Sequence, residues 1–314
     1  IAADHWSVSI LIRDLFAQYE AMAQNTTLTL PDLPIQYADY ADWQLRSAQA
    51  SEQNTHLAYW TKRLENAPPA LPLPTDRPRP TLQTFNGAQH HLRLSAETTA
   101  ALRSISKSEQ STRFVVLLAG FNILLQTYSQ QDDIVIGSPV ANRNRLELEA
   151  LIGFFVNTLI LRTDLSGDPT FQDLLQRVRE TSLEALSHQD IPFEKLVEHL
   201  QPKRDLSRSP FFQVTFALLR EDDQGFDVPE LDLQLYPFPL SGEIAQFDLT
   251  LAITERSESL ELWFTYNTDL FEPETIIRMG QHYQQILDGI VADPSQPISK
   301  ISRLSEAAYQ QQII

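Results

Sequence analysis

Six prolines lie between Pro68 and Pro80: Pro68, Pro69, Pro72, Pro74, Pro78 and Pro80. Proline holds φ near one value and offers no backbone donor, so neither a helix nor an inner strand can run through this stretch. It reads as a stiff linker over 68–80, dividing the chain into a first part, 1–67, and a larger part, 81–300. At 314 residues the whole is long enough for one large domain or two ordinary ones.

Before the linker the apolar residues recur at helical spacing. Val8, Ile12, Leu15, Phe16 and Tyr19 predict a helix from Ser7 to Met22, with Ser7 as its N-cap. A second helix is expected over 36–49, and Leu57, Trp60 and Leu64 share one face of a third. Beyond the linker, strand and helix signals alternate. Strands are expected at 89–94, 134–137, 156–163, 211–219, 247–254 and 260–266, the last two joined over a turn at 257–259. Ser95 opens a polar helix, and Phe114, Leu118, Phe121, Leu125 and Tyr128 line one face of an apolar one. Helices follow from Thr170 to Ser187 and from Pro192 to Leu200, and a closing helix carries Met279, Tyr283, Ile286 and Ile290. Elements of both kinds feeding one core predict an α/β (α+β) two-layer sandwich.

Composition narrows the function classes. Hydrophobic residues at 42% and charged residues at 21% exclude a disordered chain. With 24 basic against 41 acidic residues the net charge is −17, which argues against a nucleic-acid partner. Zero Cys excludes disulfides, thiol nucleophiles and thiolate metal sites, and suits the reducing cytoplasm. No apolar run approaches the ~18 residues of a membrane span, so no membrane partner is expected. The chain opens at Ile1, in mid-pattern, and is read as a piece of something longer.

Residue chemistry by itself points to no reaction. There is no GxSxG, P-loop, GxGxxG or HExxH. The seven His are scattered; the one adjacent pair, His90-His91, lies on a predicted strand and is assigned to structure. No metal site is assigned.

Five short phrases carry more. Ile1-Ala2-Ala3-Asp4-His5-Trp6-Ser7 resembles the end of an HHxxxDGWS motif, and Tyr37 to Gln44 resembles YxDYAxWQ. Ile152-Gly153-Phe154-Phe155-Val156-Asn157-Thr158-Leu159, ending at Arg162, is similar to IGxFVNTxxxR. His188 to Glu194 resembles HQDxPFE, and Arg204 to Arg208 resembles RDxSR. In this order, over nearly the whole chain, they resemble the condensation domains of nonribosomal peptide synthetases. Ser305-Glu306-Ala307 is similar to the start of a linker toward an adenylation domain.

The resemblance implies a fold like that of chloramphenicol acetyltransferase, two lobes with a tunnel between them. On that basis 1–67 is the remnant of an N-terminal lobe, 81–300 the complete C-terminal lobe, and 301–314 the start of the adenylation-domain linker. Roughly the front third of the family domain is absent, so exposed apolar surface is expected. The implied activity is amide bond formation between an upstream acyl or peptidyl thioester and a downstream aminoacyl thioester. No cofactor is bound directly; substrates arrive on the phosphopantetheine arms of upstream and downstream peptidyl carrier proteins. These carriers and the adjacent adenylation domain are the implied partners.

Aligning Asp4 with the motif Asp puts the motif's second His immediately before Ile1, so a polypeptide of these residues alone is expected to be inactive. His5 stands where the motif has Gly, and it is not assigned the role of that His. The resemblance gives Asp4 a salt bridge to an Arg of the opposite lobe, Arg143 in Gly137-Ser138-Pro139-Val140-Ala141-Asn142-Arg143, with Arg145 as the fallback. Ser7, Gly153 and Asn157 are assigned to the substrate tunnel. Asn157, an amide in an apolar strand, either faces the tunnel or bonds a crossing loop; Gly153 permits a bulge or a close backbone approach. Tyr40 and Trp43 are expected in the core, and Asp190 is expected to cap the helix that follows it. The 204–208 phrase is either a fold-stabilising turn or a carrier contact.

Chemically, an amine attacks an already activated thioester, and the motif His either takes its proton or hydrogen-bonds the amine. Alternatives are a heterocyclisation domain, whose DxxxxDxxS pattern Asp4 and Ser7 partly satisfy, and a noncatalytic carrier-protein-binding module. The FVNT-like and HQDxPFE-like phrases favour condensation.

Overall fold

The alternating strand and helix signals resolve into one mixed sheet with a layer of helices. The structure, a computed structural model, describes residues 2–47, 51–220, 243–256 and 259–301. Three helices come first, α1 (His5–Ala23), α2 (Tyr37–Ser47) and α3 (Ser51–Leu64). Then follow β1 (Asn86–Arg93), α4 (Ala96–Ser108), α5 (Arg113–Ser129), β2 (Asp133–Val140), α6 (Leu146–Glu149) and β3 (Asn157–Asp164). The chain continues through α7 (Phe171–Ser187), α8 (Phe193–Leu200), β4 (Val214–Arg220), β5 (Glu243–Ile244), β6 (Leu249–Glu255) and β7 (Leu260–Asn267). It ends, among the described residues, with α9 (Pro273–Ala292) and α10 (Ile298–Ile301).

The described strands run in the order β3-β2-β4-β6-β7-β1-β5. β4 is parallel to β2 and to β6, and the other pairings are antiparallel. β6 and β7 form the expected antiparallel pair, Leu249 opposite Tyr266 and Glu255 opposite Leu260. Residues 257–258 of their connection lie outside the described residues, as do 48–49 of the second expected helix and 302–314 of the expected linker.

Capping chemistry sets several helix starts. Ser95, Thr112 and Thr170 each accept a backbone N–H three residues on, and Asp173 completes a capping box with Thr170. α5 is the central helix. Every residue from Val115 to Leu125 is buried, as an element packed on all sides requires. α5 lies against α7 and α9, α4 packs on α9, and α7 covers β3. Tyr283 of α9 donates its hydroxyl to Leu117 O at 2.8 Å, and full burial raises its pKa well above the ordinary value.

The Pro-rich stretch carries neither helix nor strand, as its composition demands, and it is packed along the body. Leu71 is buried in the same core as Trp60 and Leu64 of α3. Its backbone N–H donates to Gln213 Oε1 (3.1 Å), Asp76 and Arg77 donate to Leu270 O, and Arg79 pairs with the Asp248 carboxylate. α3 is also tied to the sheet through Arg162, whose guanidinium meets Asp133 at 2.7 Å and donates to the carbonyls of Arg63, Glu65 and Asn66. Those carbonyls close a helix C-terminus, where a cation is favourable. Among the described residues no helix is long and apolar enough to cross a membrane.

Candidate functional site

At the entry of α1, a carboxylate is held by four donors. Asp4 is the N-cap, accepting from the N–H of Ser7 at 2.9 Å. Ser7, expected as that cap, lies inside the helix instead; the Asp carboxylate three residues before it takes the capping position. Asp4 Oδ1 also meets Ser7 Oγ (2.7 Å) and Arg143 Nη2 (3.1 Å), and Oδ2 accepts from Phe155 N (3.0 Å).

Arg143 completes a buried junction. Its side chain is 1% exposed against 5% for Asp4. One terminal nitrogen donates to the carbonyls of Leu148 within α6 and Leu151 just after it; the other reaches Asp4 and, at 2.8 Å, Ser7 Oγ. Its Cζ lies over the Phe155 ring, 4.1 Å from the centroid, a cation–π contact added to the hydrogen bonds of the planar guanidinium. Arg145 is elsewhere: it is exposed, with its guanidinium 4.7 Å from the ring centroid of Trp43.

The third component is the Gly153 backbone. Gly153 N donates to Ser7 Oγ (3.0 Å), and Gly153 O accepts from Asp4 N (3.1 Å). Ser7 Oγ also lies 2.8 Å from Gly153 O, so its single proton is shared between that carbonyl and Asp4 Oδ1. The close backbone approach expected at Gly153 has a specific cause. A Cβ there would lie 2.2 Å from the Tyr37 ring, whose hydroxyl donates to Phe154 O.

Electrostatically, the junction keeps Asp4 ionised. Burial pushes its carboxyl up, but the Ser7 and Phe155 donors and the Arg143 charge outweigh it and hold the pKa below the ordinary carboxylate value. Removing one partner of a buried pair leaves an uncompensated charge, which costs roughly 3–5 kcal/mol.

Beside this junction a cleft of about 1550 Å³ opens between α1 and the β2, β3 and β4 strands. Ile10, Phe16, Val156, Leu159 and Leu218 give it apolar walls, while Asp4 and the exposed His5 and Trp6 border it. The three residues assigned to the tunnel do not line this cleft. Ser7 and Gly153 are consumed by the junction just described. Asn157 bonds a crossing loop: Nδ2 donates to Gln189 O and Ile191 O, both at 2.8 Å, and Oδ1 accepts from Thr158 N and Phe193 N. Every polar capacity of that amide is used, which is why an apolar strand can carry it.

Asn157 thereby takes the capping role expected of Asp190. The 188–192 turn leads into α8 with Pro192 at the N-cap, where no side-chain cap forms, and Asp190 instead accepts from Asn144 Nδ2 at 3.0 Å. The same turn is bound to α3: Trp60 Nε1 donates to His188 O, and the Nδ1 atoms of His56 and His188 are 2.8 Å apart. Burial, and then the neighbouring His56, lower the His188 pKa. Tyr40 is buried in a small cluster with Leu148, Leu151 and Phe155, whereas Trp43 is 41% exposed, a difference from the core position expected. His90 is half-buried, and His91 stacks on Trp263 at 4.1 Å. The 204–208 phrase folds as a turn closed by Asp205, which accepts from Ser207 and pairs with Arg208. Asn144 and His56 were not anticipated. The polar run Asn142-Arg143-Asn144-Arg145 directly after a buried strand is the signal that could have exposed the first; a lone His at a helical position carries none.

Comparison with known proteins gives a consistent picture. A family model described as Condensation domain matches residues 1–313. A linear gramicidin synthase polypeptide of Brevibacillus parabrevis is 49% identical over 311 residues, covering 99% of this chain and 4% of that protein. Chondramide synthase of Chondromyces crocatus is 41% identical over 305 residues, covering 97% and 8%. This chain thus spans only a small part of such relatives. Among solved structures, the X-domain from teicoplanin biosynthesis superposes with a TM-score of 0.86 at 33% identity, over 96% of this chain and 70% of that one. A four-domain nonribosomal peptide synthetase, AB3403, gives 0.83 at 31% identity over 95% and 23%.

Proposed function

The chain belongs to the condensation-domain family, and from that premise we propose that the protein containing it joins an upstream acyl or peptidyl thioester to a downstream aminoacyl thioester. The observation that carries this reading is the buried Asp4–Arg143 junction at the border of the cleft. It fixes the residues ahead of α1 by an Asp cap and a guanidinium that also grips α6. Asp4 and His5 border the cleft, so on this reading the residues leading into α1 present their reacting group to it, as a reaction between two tethered substrates needs. The motif alignment would put the family's His immediately before Ile1, and a positioned base or hydrogen-bonding partner there would contribute about 10²–10⁴-fold. Asp4 and Arg143 act as positioning residues, and a polypeptide of residues 1–314 alone is expected not to turn over.

Substrates on this reading arrive on the phosphopantetheine arms of peptidyl carrier proteins, with an adenylation domain adjoining and the cytoplasm as setting. Support comes from the peptide synthetases among the relatives and from the multidomain AB3403 structure.

The test is Asp4→Ala in the intact protein, with turnover of carrier-bound substrates as the readout. Loss of turnover with carrier binding retained is the expected result; unchanged turnover would contradict the reading. A second reading, a module that docks a partner protein, is favoured by the likeness to the teicoplanin X-domain, which has been solved in complex with OxyB. It predicts that Asp4→Ala leaves the protein's physiological role intact.

A further inference from the structure

Four consecutive side chains between β2 and α6 reach out to separate partners. Asn142 Nδ2 donates to the Tyr40 hydroxyl at 3.2 Å, Arg143 meets Asp4, Asn144 Nδ2 donates to Asp190 Oδ1 at 3.0 Å, and Arg145 covers Trp43. Asn142 stands at φ 52, in the left-handed region that Asn tolerates better than most residues.

The 188–192 turn, which carries Asp190, is itself tied to two elements. Asn157 of β3 holds two of its carbonyls, Trp60 of α3 holds a third, and His56 meets His188. Asp190 is therefore a point anchored to both the sheet and α3. Asn144 is the link from that point to the loop carrying Arg143, and Arg143 in turn holds Asp4 at the entry of α1.

We propose that Asn144 and Asp190 are positioning residues for the amide-forming reaction, a strut that sets the Arg143 loop and, through the Asp4 junction, the residues ahead of α1. This rests on the function proposed above. It gives the HQD turn a role in the site without contact to substrate. The Asn144–Asp190 bond is solvent-exposed, so its contribution to global stability is small, while its geometric effect falls on the adjoining residue.

The experiment uses the intact synthetase chain. Asn144→Ala is expected to lower turnover about fivefold, the equivalent of one hydrogen bond, with KM for the carrier-bound substrates and Tm unchanged. Asn144→Asp sets a carboxylate against a carboxylate and lowers turnover further. The double variant Asn144→Asp/Asp190→Asn exchanges donor and acceptor and restores it. In an Asp4→Ala background, Asn144→Ala adds no further loss, because the junction it acts through is already broken. Silent Asn144→Ala, a loss that follows a fall in Tm, or full additivity with Asp4→Ala would overturn the strut alone. Unchanged turnover in Asp4→Ala itself overturns the proposed function first, and the strut with it.

Discussion

α1 and α5 are similar in length and both carry apolar residues at helical spacing, yet they are held by opposite means. α5 is buried on all sides, with Val116, Leu118, Phe121 and Ile123 fully covered. α1 buries only Ser7, Ile10 and Ala21, while Leu11, Leu15, Tyr19 and Met22 are at least half exposed. Apolar burial over-determines α5. α1 is fixed at one end by a polar junction of a carboxylate, a hydroxyl, a guanidinium and one glycine backbone. A periodic stripe thus announces a helix but not what covers it, and a helix can be positioned by its cap.

The largest stability effect is expected at the centre of α5: Phe121→Ala should cost about 3–5 kcal/mol in urea unfolding. A loss below about 1 kcal/mol would show α5 to be less buried than described. Asn157→Ala, which strands two carbonyls and the Phe193 N–H, should cost roughly 1–3 kcal/mol, read from the same titration. The pH profile comes next. Because the folded Asp4 pKa is depressed, its stabilisation is complete above the unfolded carboxylate value near ~3.9 and disappears as pH falls through the lower folded value. α1 should therefore stay docked at about pH 5 and detach only below about pH 4, followed by Trp6 fluorescence. Detachment near pH ~6 would assign control to another group. The smallest effect belongs to the outer face of α1, where Leu15→Ser should change stability by less than about 0.5 kcal/mol.

The same contrast explains what could be read in the sequence. The α5 stripe from Phe114 to Tyr128, the Ser95 and Thr170 helix starts and the β6–β7 pair were legible because local pattern and tertiary burial agree there. The Asp4–Arg143 pairing was nameable only through motif resemblance, since nothing local joins residues so far apart in sequence. The cap falls one turn before Ser7: Asp and Ser both cap well, and the distant contacts to Arg143, Gly153 O and Phe155 N select Asp4. Asn157 bonds a crossing loop, one of its two expected roles, and in doing so takes the α8 N-terminus expected of Asp190, because either side chain can satisfy that terminus and the choice depends on how β3 approaches the turn. The burial expected at Trp43 failed for a similar reason: helical spacing gave its side but not the Arg145 cover.

Hydrogen exchange of the α1 amides in the wild-type protein and in Asp4→Ala, with α5 as internal reference, tests the polar-junction claim most directly. If the polar junction holds α1, the α1 amides lose protection by at least about tenfold, some 1.4 kcal/mol, while α5 is unchanged. Equal protection of α1 in both proteins would contradict it.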